Sequence, residues 1–231
     1  MRRKCLAVAG LLLTAACRTT TPTAGPSPTT SGTPAASPTP RLSESTSYPW
    51  SSRRVTAADL PHSWHPGCPV APSQLRMLTL RYVGFDGGRH TGHLVVNAKA
   101  VPAVVEVFRV LDSRRFPIRS LRPVDDFGGS DDASMAADNT SGFNCRQAVG
   151  GSGWSMHAYG LAIDVDPREN PYLQGGLVRP PEGKAYVDRT RVRPGMVVVG
   201  GTATQAFAAV GWRWGGTWST PDYQHFSSNG R

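Results

Sequence analysis

The sequence predicts an α+β domain in which an antiparallel sheet carries flanking helices. Three observations lead there. Leu78, Leu80 and Tyr82 alternate with Thr79 and Arg81, the period of a half-buried strand. Phe85-Asp86-Gly87-Gly88-Arg89 is turn chemistry, and Leu94-Val95-Val96 then reads as the return strand of a hairpin. Val101, Val104, Val105, Phe108 and Leu111 fall at helical spacing. Asn97 is suited to cap that helix, and Pro102 lies in its first turn, where proline is tolerated. A second short helix is expected from Thr202 as cap through Phe207 and Val210, ended by Gly211. Leu161 to Val165 reads as a strand and Tyr223 to Phe226 as another. Hairpins with helices segregated between them make the class α+β rather than α/β.

The chain has 231 residues and divides by composition into three parts. Residues 1–17 open with Met1-Arg2-Arg3-Lys4, a positive start, followed by a short apolar run from Cys5 to Ala16. This reads as a secretory signal, too short for a permanent membrane helix. It stops at Thr14-Ala15-Ala16-Cys17, which resembles a bacterial lipoprotein signal with Cys17 lipidated, although Thr14 stands where leucine is usual. The alternative is ordinary secretion with Cys17 incidental. Residues 18–48 are Thr, Pro, Ser, Ala and Gly with almost nothing to bury, so a disordered tether is expected there, or low-complexity filler with no spacing role. Residues 49–231 are the size of one domain with one core and show no internal repeat.

The formal net charge is +9, and loss of Arg2, Arg3 and Lys4 with the signal leaves 22 basic against 16 acidic residues, or +6. A basic surface favours anionic partners such as wall polymers or lipid head groups, or is simply a solvated face rich in arginine. No segment resembles a nucleic-acid module, and a monomer is expected. Besides Cys5 and Cys17, only Cys68 and Cys145 remain. In an oxidising compartment they can form one bridge; the alternative is two buried free thiols.

The chemistry concentrates near the C-terminus. Ser155-Met156-His157-Ala158-Tyr159-Gly160-Leu161-Ala162-Ile163-Asp164 is followed at a distance by Asp222-Tyr223-Gln224-His225-Phe226. His157, Asp164 and His225 make a three-ligand zinc set that leaves a fourth position for water. On a strand, Asp164 points away from Leu161, Ile163 and Val165, which is expensive without a partner; a metal supplies one. Gly160 permits a close approach between His157 and that strand. Asp222 is a second carboxylate, placed to serve the water as a base.

These residues resemble the zinc peptidases that trim bacterial wall peptides: the D-alanyl-D-alanine carboxypeptidases and dipeptidases of peptidase family M15, and the related phage L-alanyl-D-glutamate endopeptidases. Their fold is shared with Hedgehog signalling domains. Gly67-Cys68-Pro69-Val70, Phe85 to Asn97, Phe116-Pro117-Ile118, Ser134-Met135 and Asn139 to Arg146 look like the extended form of the family. The resemblance implies zinc held by His157, Asp164 and His225, with Asp222 as general base. It places Arg146 near the substrate carbonyl or carboxylate, unless Arg146 is only a surface arginine beside a cysteine. Ser155 becomes a hydrogen-bond donor to ligands or substrate, or a residue that shapes its loop. Tyr159, Asp166, Trp214 and Trp218 become candidates to line the cleft. The carboxypeptidases usually carry glutamate where Asp222 stands, and the phage enzymes aspartate, so the resemblance leaves open which bond is cleaved.

The implied activity is metal-assisted hydrolysis of peptidoglycan stem peptides outside the cell membrane, with release of terminal D-alanine favoured over internal cleavage. Two rivals stand beside it. Ser155, His157 and Asp164 could form a serine-hydrolase triad, but no nucleophile elbow surrounds Ser155 and Asp222 with His225 would be unused. A wall-binding module of the same fold could keep the metal without turnover, but it would have no need of Asp222.

Overall fold

The computed structural model describes residues 48–231. The expected signal with Cys17, and the tether up to residue 47, lie outside the described residues. Tyr48 is tied into the fold: its hydroxyl donates to the Arg81 carbonyl at 2.5 Å.

The first sheet is β1 (Trp50–Arg54), β2 (Leu75–Val83) and β3 (Arg89–Asn97), antiparallel in the order β1-β2-β3. The β2–β3 hairpin is in the expected place, with Leu78 opposite Leu94 and Leu80 opposite Gly92. Its turn is fastened by Asp86, whose Oδ1 accepts from Gly88 N at 2.9 Å. Strand β1 is exposed along its whole length and reads as no strand in sequence; it is held by pairing to β2.

Helix α1 (Val101–Ser113) lays Val104, Val107, Phe108 and Leu111 against the sheet, with proline in its first turn. Asn97 does not cap α1 directly. Its side chain accepts from Lys99 N at 3.1 Å and caps a 3-10 turn, Ala98–Ala100, that precedes the helix. Helix α2 (Asp131–Ala136) is one short segment with Ser130 as its cap.

The second sheet is built from β4 (Ala162–Asp164), β7 (Arg213–Trp214) and β8 (His225–Ser227), in the order β4-β8-β7. A separate hairpin pairs β5 (Tyr172–Gln174) with β6 (Leu177–Arg179). The strand expected over Tyr223 to Phe226 starts at His225 instead, because Asp222 and His225 close a turn, with His225 N reaching Asp222 O at 3.4 Å. Helix α3 (Thr202–Ala209) has Gly201 as its cap, so Thr202 is its first residue rather than its cap; Gly211, with φ of 82°, ends it as expected.

One core joins the two sheets. Leu78, Leu80 and Leu94 meet Val104, Phe108, Ile163, Phe207 and Phe226 in a single buried cluster. Phe207 and Phe226 stack at 3.8 Å between ring centroids and 10° between planes. This contact fixes β8 against α3, and therefore fixes the residue before Phe226, His225. A smaller cluster of Val55, Leu60, Val70, Leu75, Val95 and Phe143 supports the other flank. Beside it Cys68 and Cys145 are bonded, with Cα atoms 5.8 Å apart.

Candidate metal centre and active site

Ser155 begins the site. Its hydroxyl accepts from His157 N at 3.3 Å and caps the 3-10 turn Met156–Tyr159. The turn ends at Gly160, whose φ is 65°. A Cβ there would lie 2.6 Å from Asn97 N, and the Gly160 carbonyl accepts from that same nitrogen at 2.8 Å. Only glycine allows both the left-handed conformation and the approach to β3. The chain then enters β4, which buries Ile163 in the core and presents Asp164 on the opposite side.

Strands β4 and β8 pair with Asp164 directly opposite His225. His225 Nδ1 lies 3.1 Å from Asp164 Oδ1, His157 Nε2 lies 3.1 Å from Asp164 Oδ2, and the two imidazole nitrogens are 3.2 Å apart. Two nitrogens, each against its own oxygen of the Asp164 carboxylate, suit a tetrahedral cation that takes one donor atom from each residue. Bonds of about 2.0–2.1 Å to zinc give ligand–ligand edges of roughly 3.3 Å. The far side of each ring is occupied as a metal ligand requires. His157 Nδ1 donates to the Gly142 carbonyl at 2.6 Å, and His225 Nε2 donates to the Arg231 main-chain oxygen at 3.1 Å. Each bond fixes a tautomer and leaves the inner nitrogen free to bind metal. Burial alone would raise the Asp164 pKa, but the charge and hydrogen bonding of His157 and His225 outweigh it and hold the carboxyl well below the usual range.

His157 and His225 line one wall of a cavity of about 600 Å³, and Asp164 is buried behind them. Asp222 stands on the same cavity. Gly215 accepts its backbone N–H at 3.1 Å, and a bridge joins it to Tyr172. Burial, together with the nearby Asp164 charge, pushes its pKa to about 7, against the opposing pull of His225 and Arg146. Its Oδ1 is shielded from solvent without a hydrogen-bond partner. Arg146 also lines the cavity; one end of its guanidinium pairs with Asp131 at 3.0 Å, while its Nε is buried and unpartnered.

The structure brings His157, His225, Asp222, Arg146, Ser155, Tyr159 and Trp218 around one space, with Asp164 buried against the two imidazoles, and the Ser155 oxygen accepts from His157 N in the turn. Asp166 does not line it. Its carboxylate is fully buried and accepts from Arg119 N at 2.9 Å and from Thr140 Oγ1 at 3.1 Å, anchoring the chain after β4. Trp214 does not line it either; its indole donates to Tyr223 O at 2.7 Å and packs beside Phe226. The sequence reading missed Tyr172 and Arg179, which the β5–β6 hairpin brings to the cavity, and Trp154 at its rim. A Gly-Gly pair between Leu173-Gln174 and Leu177-Val178 was the available signal for that hairpin. His65 also lies beside Cys68 and Cys145, but those sulfurs are bonded to each other and offer no thiolate.

The site sets three candidate metal donors with a further carboxylate, Asp222, beside them. Residues 149–228 match the family model described as D-alanyl-D-alanine carboxypeptidase. The segment that carries the site is therefore similar to the M15 peptidases, which are typically metal-dependent. No curated protein and no solved structure matches the chain.

Proposed function

We propose that the protein is an exported zinc peptidase that hydrolyses peptidoglycan stem peptides, releasing terminal D-alanine, and that it is held at the outer face of the membrane through Cys17. The observation that carries the catalytic part is the convergence of His157, Asp164 and His225, the two imidazoles oriented from behind by main-chain oxygens, with Asp222 on the cavity that those imidazoles line. A bound zinc would polarise a carbonyl and lower the pKa of water to about 7. Asp222, shielded and without a hydrogen-bond partner on Oδ1, is placed to take a proton from water and return it to the leaving amine. Arg146 offers a free buried Nε and a fixed positive charge to a peptide carboxylate or to a developing oxyanion. A wall-binding module would have no use for a carboxylate held at a pKa of about 7, which favours turnover.

The terminal carboxylate decides between the two peptidase readings. Asp222, an aspartate where carboxypeptidases usually have glutamate, favours an internal bond, whereas Arg146 favours a free terminus. The test is a pentapeptide stem offered beside the same peptide amidated at its C-terminus, with products identified by mass spectrometry. The expected result is release of D-alanine from the free acid, and loss of that preference in Arg146→Ala. Equal internal cleavage of both peptides would replace the carboxypeptidase with an endopeptidase. Zinc binding with no cleavage of either would return the protein to the binding class.

A further inference from the structure

Three residues on neighbouring segments form a row across the cavity wall. Tyr172 is paired with Arg179 in the β5–β6 hairpin and bridged on its other edge to Asp222. Residues opposite one another in antiparallel strands project to the same face, and all three line the 600 Å³ cavity. The Tyr172 hydroxyl registers both neighbours: burial raises its pKa first, the Asp222 charge raises it further, and Arg179 lowers it. Two strand spacings of about 4.8 Å separate the backbones at Asp222 and Arg179, or roughly 10 Å. That is the length of about three extended residues.

Arg179 is also available. Among the described residues its guanidinium has one ion-pair partner, Asp132 at 2.8 Å, with side-chain exposures of 36% and 71%. A pair this exposed contributes little and is readily exchanged for another anion. Arg179 further lines a second cavity of about 390 Å³, walled by Met135, Leu177, Val178 and Pro181, so it stands where the first cavity gives way to the second. Arg146, the other arginine of this wall, is tied to Asp131, the neighbour of Asp132 in the first turn of α2. Two adjacent aspartates thus hold two arginines, one near the metal donors and one displaced along the cleft.

From this arrangement we infer that Arg179 is a specificity-determining residue that receives a second carboxylate of the peptide, carried within about three residues of the scissile bond. The inference rests on the peptidase reading. It gives the substrate class as a peptide with an acidic group at two places, one served by Arg146 and one by Arg179. In a stem peptide the second group is the free α-carboxylate of the γ-linked D-glutamate.

The experiment uses zinc-loaded protein and two lysine-type pentapeptides that differ only in whether the D-glutamate α-carboxylate is free or amidated. The parent protein should prefer the free acid by roughly tenfold or more in kcat/KM, the usual weight of a charge-assisted contact, with the difference in KM. Arg179→Ala should reduce that ratio to about one, and Arg179→Lys should keep part of it. Asp132→Ala separates ligand binding from scaffolding. If Arg179 serves the substrate, removing its counter-ion frees it and lowers KM for the free acid. If the pair merely pins the hairpin to α2, Asp132→Ala and Arg179→Ala will lose activity alike on both peptides, and the inference is wrong. Equal use of the two peptides by the parent protein also overturns it. Hydrolysis of neither peptide would instead remove the peptidase reading on which it stands.

Discussion

Replacing Asp222 with asparagine should move activity and stability in opposite directions. The folded protein holds this carboxyl at about 7, chiefly through burial and the neighbouring Asp164 charge, whereas an unfolded chain would hold it near 3.8. A folded-state pKa above the unfolded value means that the unfolded chain releases its proton first. The ionised form is therefore disfavoured in the fold, and the penalty is absent below about pH 4. It grows from there and is complete above about pH 7. The interval between 3.8 and about 7, at 1.36 kcal/mol for each tenfold, is on the order of 4 kcal/mol, a ceiling because the residue retains some solvent contact. Asparagine carries no such penalty. Metal-free Asp222→Asn should match the parent protein in urea denaturation near pH 4 and become more stable as pH rises to 8. Zinc should shrink the gain, because a cation offsets the buried carboxylate in the parent. Turnover should fall by roughly 10²–10⁴-fold, the usual contribution of a general base. A variant less stable than the parent at pH 8 without metal, or one that keeps normal turnover, would refute the reasoning.

Other outcomes follow from the same geometry. His157→Ala should lose zinc by atomic-absorption assay, while His90→Ala and His93→Ala should keep it, since those rings contact Asp86 and Thr79 on the exposed hairpin; retention by His157→Ala would discard the ligand assignment. Cys68→Ser should lower unfolding free energy by about 4–5 kcal/mol for a loop of 77 residues in the chain-entropy model, and should reduce activity as well, because Cys145 precedes Arg146; an unchanged urea midpoint would refute the first part. Gly160→Ala should cost more than the 1–2 kcal/mol of a left-handed residue alone, given the 2.6 Å approach to Asn97 N, and a melting temperature equal to that of the parent would contradict this. Phe226→Ala should cost roughly 3–5 kcal/mol through loss of the Phe207 stack, and should weaken zinc affinity through His225; normal affinity would show that β8 is held by pairing alone.

The elements legible in the sequence are those whose side chains report their surroundings. The β2–β3 hairpin shows because Leu78 and Leu80 alternate with polar residues before a glycine turn, and α1 shows because Val104, Phe108 and Leu111 recur at helical spacing. Strand β1 does not show, since all five of its residues face solvent and only backbone pairing to β2 makes it a strand. Tyr223 misled in the opposite sense: its alternation with His225 suggests one strand, but the Asp222–His225 turn breaks it. Within the site, the candidate metal donors are legible because their residue types are chemically distinctive. The main-chain oxygens of Gly142 and Arg231 are not, because every residue has one and only the fold selects which is used. Arg179 escaped for a related reason, being one arginine among many until a three-residue strand carried it to the cavity.

The Gly142 carbonyl sets a lower limit on the working unit. It orients His157, yet it lies seven residues before the segment that matches the family, which starts at residue 149. Gly142 is itself wedged against β3, where a Cβ would meet Val95 O at 2.4 Å. The ligand's orientation is thus handed down from the first sheet, through a backbone that no motif marks. A fragment cut to residues 149–228 would retain every candidate metal donor and lose the main-chain oxygens of Gly142 and Arg231 that aim both imidazoles. The boundary of recognisable similarity is therefore narrower than the boundary of function, and trimming or grafting of this site has to begin upstream, at the hairpin.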